Sequence, residues 1–150
     1  MIKIYLSEHA KSKQVMEDNI GNKVDVIIEH LIKLIIMPTN ESRNHWMGEI
    51  AGQLNRVHKL KTKNKYPSKD LLFKWTYEYA LDDIKDITWL SNEISNIEYE
   101  YNIKCTINAK ELSKKLNIVS HNYFYWLSEI LSTQGSIQNV MIYKKLEEIL

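Results

Sequence analysis

An all-α fold is predicted for this chain, and three observations predict it. Apolar residues recur every three to four positions along most of the 150 residues, which is the helical period. Glycine and proline are scarce, at four and two, and leave few of the turns that a many-stranded sheet needs. Residues suited to helix N-caps, Ser68 and Asn108 among them, stand ahead of the periodic segments;. The arrangement expected is a central four-helix bundle with a smaller C-terminal helical hairpin of helix-turn-helix type. The boundary falls between residues 1–98 and 99–150, with the second unit packed on the first or merged with it into one domain.

The elements follow in order. Residues 2–6 alternate Ile2, Ile4 and Leu6 with Lys3 and Tyr5, which reads as a short strand or an extended arm. Ser7 caps a first helix over about 8–19, ending near Asn19 and Gly21. A second helix, about 23–37, carries Val24, Ile27, Ile28, Leu31, Leu34 and Ile35 on one stripe;. Val26, Ile32 and Ile36 widen that stripe, so this helix is expected at the centre of the bundle. Met37-Pro38 ends it, because a residue before proline is pushed out of the α region. A third helix, about 41–61, has Met47, Ile50, Leu54, Val57 and Leu60 inward, with Ala51 and Gly52 placed for close helix approach. Thr62–Lys65 is the clearest loop, and Ser68 caps the next helix;. From there the apolar pattern runs through Trp75, Ile84, Leu90, Ile94 and Ile97. It is either one helix of about 30 residues or two helices broken near Asp86-Ile87-Thr88, where β-branched residues weaken a helix. Tyr99–Thr106 alternates again, as a short strand or an extended link. Asn108 with Glu111 has capping-box spacing; and opens a helix to about Leu116. Ser120 opens another to about Leu131, and Ser136 the last, to Leu150.

Composition excludes several classes. Charged residues are 26% and the hydrophobic set 44%, so the chain folds. Twenty Lys and Arg against 19 Asp and Glu give a formal net charge of +1, and no global field draws nucleic acid or an anionic membrane. The most apolar segment, Val24 to Met37, carries Asp25, Glu29, His30 and Lys33 and is too short and too charged to span a bilayer. The first residues lack the apolar run of a signal peptide. Cys105, the single cysteine, forms no internal disulfide, and a cytoplasmic location is expected.

Residues 109–131 hold the most informative local pattern. A short helix, a turn at Asn117 and a second helix match helix-turn-helix spacing, with Ser113 small where the helices would approach and Leu112, Leu116, Ile118, Phe124 and Leu127 filling the small core. Asn117 tolerates the left-handed conformation such a turn requires. In that reading Ser120, His121, Asn122, Tyr123 and Tyr125 face the major groove, and Lys110, Lys114 and Lys115 lie near phosphates. The segment resembles helix-turn-helix modules of phage antirepressor type. Against DNA binding, the second helix has no Lys or Arg and carries Glu129, whereas DNA affinity depends heavily on phosphate neutralisation.

The central segment carries His30-Leu31-Ile32-Lys33, Pro38, Ser42-Arg43-Asn44-His45-Trp46, Ile50, Gln53, Pro67-Ser68 and Tyr79-Ala80. In order and spacing, about residues 16–98 resemble the bacterial family catalogued as domain of unknown function 29. That resemblance implies helices and a chain of similar length, and supplies no reaction.

Three function classes follow. Aromatic residues are dense in the second half, and a globular core uses one face of each helix. Some of Tyr77, Tyr99, Tyr101, Tyr123, Tyr125 and Trp126 are therefore expected on the surface, where such rings anchor interfaces. The preferred reading is a non-enzymatic helical protein of antitoxin, immunity or regulatory type that binds a protein partner or self-associates. The second is a DNA-binding regulator using residues 109–131. The third is an enzyme or binder of a small anion at Arg43, His45 and Arg56, since the only two arginines stand there and arginine matches carboxylate and phosphate. His30 is read as a hydrogen-bonded interior histidine. No metal-ligand spacing, phosphate-binding glycine loop or nucleophile motif is present, so no metal, no cofactor and no catalytic residue are expected.

Overall fold

A computed structural model describes the backbone of residues 2–63 and 69–134, and the side chains of residues 19–57 and 74–121. Within these residues the chain is helical, with no strand. The helices are α1 (Ile2–Ile36), α2 (Arg43–Lys63), α3 (Lys69–Lys85), α4 (Ile87–Tyr101) and α5 (Ala109–Gln134).

α1 is the central element and packs against α2, α3 and α5. It is one helix of 35 residues, where the sequence reading divides residues 2–37 into a strand, a helix and a second helix. The alternation at 2–6 is overridden, and Gly21 lies inside the helix without ending it. The reason lies in the apolar stripe that follows: Ile20, Val24, Ile27, Ile28, Leu31 and Leu34 are all sealed. A helix interior that buries so much area tolerates a glycine. The space beside Gly21 is taken by the Tyr79 ring, whose nearest atom would lie 3.8 Å from an added Cβ. That is ordinary van der Waals contact. Gly21→Ala is therefore expected to stabilise the protein by about 0.5–1 kcal/mol in urea unfolding, the propensity gain of alanine in a helix interior. A helix broken at Gly21 in the left-handed conformation would instead be destabilised.

α1 ends before Pro38, and the chain turns through an Asx motif in which Asn40 Oδ1 accepts from the Ser42 backbone N–H at 2.8 Å. Ser42 then offers its carbonyl to Trp46 N–H to start α2. The inner face of α2 holds Trp46, Met47, Ile50, Ala51, Leu54 and Val57; Leu60 lies outside the described side chains. Ala51 is fully buried. Gly52 serves no close approach, since a Cβ added there would meet nothing within 4 Å.

The apolar run after Ser68 resolves into two helices that meet at Asp86. Asp86 accepts from Trp89 N–H at 3.0 Å and caps α4;. α4 closes on Asn102, the one described non-glycine residue in the left-handed region, at φ 52° and ψ 49°. A short polar side chain suits that position. Tyr99–Tyr101 are thus the last turn of α4, and the extended link begins after them. The Glu98 carboxylate accepts from Cys105 N–H at 2.9 Å and folds the link back on α4.

Asn108 caps α5 as its spacing predicts: its Oδ1 accepts from Glu111 N–H at 2.9 Å, and its amide donates to the Glu111 carboxylate at 3.2 Å. The expected turn at Asn117 is absent. α5 runs unbroken from Ala109 to Gln134, so residues 109–131 form a single rod and not a hairpin. Leu112, Leu116 and Val119 repeat at helical spacing and are all buried; burying them on one continuous face gives the tight turn nothing to do. These residues share one core cluster with Ile20–Val57 and Trp75–Ile97. Ser113 donates to the Ile84 carbonyl at 2.7 Å and so satisfies one of the last carbonyls of α3, which a helix end leaves open. The predicted helix at 136–150 lies outside the described residues.

Candidate functional site

Arg43, His45 and Arg56 are all exposed on α2. They do not converge. Arg43 and Arg56 are 13 residues apart on one helix, which separates their Cα atoms by about 20 Å along its axis and turns them by about 140°. Arg43 and His45 point about 160° apart on the same wheel. The helix therefore disperses the three groups that the sequence reading gathers into one anion site. His30 is hydrogen-bonded as expected, its Nδ1–H donating to the Val26 carbonyl at 2.7 Å, but it is half-buried and not interior.

The DNA-reading set is also divided. Ser120 is fully buried, with no hydrogen-bond partner for its Oγ among the described residues, and is turned inward where a base-reading residue must be turned out. His121 is exposed and lies against Tyr77, with the phenol oxygen 3.4 Å from Nδ1 and the rings 6.0 Å apart. Lys110, Lys114 and Lys115 are exposed. The side chains of Asn122 and Tyr123 lie outside the described residues.

Of the aromatic interface set, Tyr99 is the most exposed large apolar side chain described, at 92%. Tyr77 is half-buried. Tyr101 is half-buried and meets the edge of Trp46 at 6.1 Å; its ring joins α4 to α2, and Lys33 stands 5.9 Å over the same indole. The side chains of Tyr123, Tyr125 and Trp126 lie outside the described residues. The residue that sequence reasoning places in the hairpin core and the structure places outside is Ile118, at 61% exposure. The assumed turn at Asn117 moves its register inward; the continuous helix rotates it out.

Two further groupings carry polar chemistry. Asp83 of α3 is hydrogen-bonded to Asp25 of α1 and lies near Asp82 and Glu29. Its Oδ2 is sealed from solvent and meets no donor among the described residues. Burial first, then the Asp25 hydrogen bond and the charges of Asp25, Asp82 and Glu29, push the Asp83 carboxyl up to about 8;. Burial and Glu29 likewise raise the Glu93 carboxyl, against the opposing pull of Lys33. Among the described residues no group of carboxylate, histidine or cysteine side chains is arranged to hold a metal ion. Asp82-Asp83 reads in the sequence as helix-surface charge. The available signal was Asp25 and Glu29, one turn apart inside the most apolar segment, where any facing carboxylate must meet them.

The second grouping is a cleft of about 160 Å³ bounded by the end of α1, the α4–α5 link and α5, and lined by Ile35, Ile36, Ile103–Ile107 and Lys115. Cys105 lies within it, and burial followed by Glu98 pushes its thiol up, away from the thiolate a nucleophile needs. No described helix is long and apolar enough to cross a membrane. No family model, curated protein or solved structure matches this chain.

Proposed function

We propose that this is a non-enzymatic helical protein that acts by docking a protein partner, a role of the regulatory, antitoxin or immunity kind. The observation that supports the reading is Ile118: a large aliphatic side chain 61% exposed on a helix whose other apolar positions through Val119 are buried. Leaving it in water gives up burial of roughly 1–2 kcal/mol, which an interface recovers. Tyr99, at 92% exposure, is a second ring of the kind that anchors interfaces. The dispersed Arg43, His45 and Arg56 and the raised Cys105 thiol offer no comparable basis for catalysis.

A photo-crosslinking residue placed at 118 in intact cells is expected to yield a protease-sensitive adduct of higher mass. The same residue at Ser91, exposed on α4, yields none. Absence of any adduct from positions 118 and 99, with the purified chain sedimenting as a 17.8 kDa monomer, overturns the reading.

A further inference from the structure

We infer that the outer face of α5 and the adjoining link recognise an acidic segment of a partner protein, one that sets an aliphatic or aromatic side chain between carboxylates. The inference rests on the docking reading above and names the chemistry of the partner. Lys110, Lys114 and Ile118 are spaced four residues apart and are all exposed, so they form one line about 12 Å long on the helix surface. Lys115 is exposed beside that line and also lines the cleft, together with Ile103 and Lys104 of the link. The result is a surface that carries four exposed lysines, Lys104, Lys110, Lys114 and Lys115, and two exposed aliphatic side chains, Ile118 at 61% and Ile103 at 37%.

The carboxylates nearest in sequence are Glu98, which accepts from the Cys105 backbone, and the exposed Glu100 and Glu111, the latter accepting from the Asn108 amide; the four lysines outnumber these three. The overall net charge is only +1, so this is a local field and not a general one. Complementary charge steers such a partner and sets its register, while the aliphatic pair supplies buried area. A nucleic acid is the less suitable occupant. The face has no arginine for bidentate phosphate or guanine contacts;, and it puts an isoleucine at its centre.

The test uses fluorescent 15-residue peptides of equal aliphatic content whose flanking charges are glutamate, lysine or serine, with a single-stranded oligonucleotide as a fourth probe. The full-length protein is expected to bind the glutamate peptide best, with affinity falling as salt rises. The triple reversal K110E/K114E/K115E should weaken that peptide about tenfold or more, as three rim charges of modest individual worth add up. I118S should weaken it too, and reversal of the exposed Lys74 on α3 should not. Circular dichroism verifies that each variant folds. Equal binding of all three peptides, or oligonucleotide binding that is lost in the triple reversal and kept in I118S, overturns the inference. In cells, a 118 adduct that persists in the triple reversal refutes the charge complementarity alone. Failure of every adduct refutes the docking reading beneath it.

Discussion

Leu31→Ala is expected to destabilise the protein by about 2–5 kcal/mol, measured as a lower urea midpoint at unchanged slope. Leu31 is fully buried in α1, the helix that α2, α3 and α5 all contact. Its neighbours on the same helix, Ile27, Ile28, Ile32 and Leu34, are sealed as well. A methyl in place of the isobutyl group therefore leaves a void bounded by rigid neighbours, and the cavity adds to the lost transfer energy. Because small domains hold only about 5–15 kcal/mol in total, the variant should lie near the limit of folding at 37 °C. A cost below 1 kcal/mol would mean that α1 is not the axis of the core. The exposed Asn22 of the same helix is the control, with Asn22→Ala within about 0.5 kcal/mol of the parent.

Asp83→Asn is expected to stabilise the protein, and by an amount that depends on pH. The folded-state value of about 8 stands above the ordinary 3.8. Between those values the folded chain holds a proton that the unfolded chain has released. The stability that Asp83 permits is therefore complete below about pH 4 and is lost progressively as pH rises towards about 8;. Asparagine keeps a donor for Asp25 and carries no charge, so the penalty disappears. The side chain is only half-buried, and solvent screens part of the effect. A gain of about 1–3 kcal/mol at pH 8, falling to nearly nothing at pH 4, is the discounted expectation. Parallel stability curves for the parent and the variant over that range would show that Asp83 ionises freely in the fold.

Much of the core is legible in the sequence because a helix repeats every 3.6 residues. Val24, Ile27, Ile28, Leu31 and Leu34 are read as an inner stripe and are buried. The Asn108–Glu111 cap is legible for a similar reason: its partners are three residues apart and need nothing distant. The break at Asp86 is one of two readings that periodicity leaves open, and the aspartate's hydrogen bond to Trp89 N–H decides it. Helix continuity is harder to read. Gly21 and Asn117 carry turn chemistry, but both lie in helix interiors because the apolar residues on either side are buried on one face. Tertiary burial outweighs a local preference of about 1 kcal/mol. The same error conceals the candidate surface, since a turn at Asn117 would have put Ile118 in a core. The Asp25–Asp83 contact joins positions 58 residues apart, and no local pattern reports it.

Asp86 is a single-residue corner, the kind of place where two rods would be expected to swing. The Ser113 hydroxyl changes what that corner can do. It fastens α5 to the final turn of α3, while α5 also lies along α4 and the Glu98 clamp holds the connecting strap. Three members joined at three points make a truss. The outer edge of α5 is thus presented to whatever meets it as a stiff rail, with little freedom to mould itself around an incoming surface.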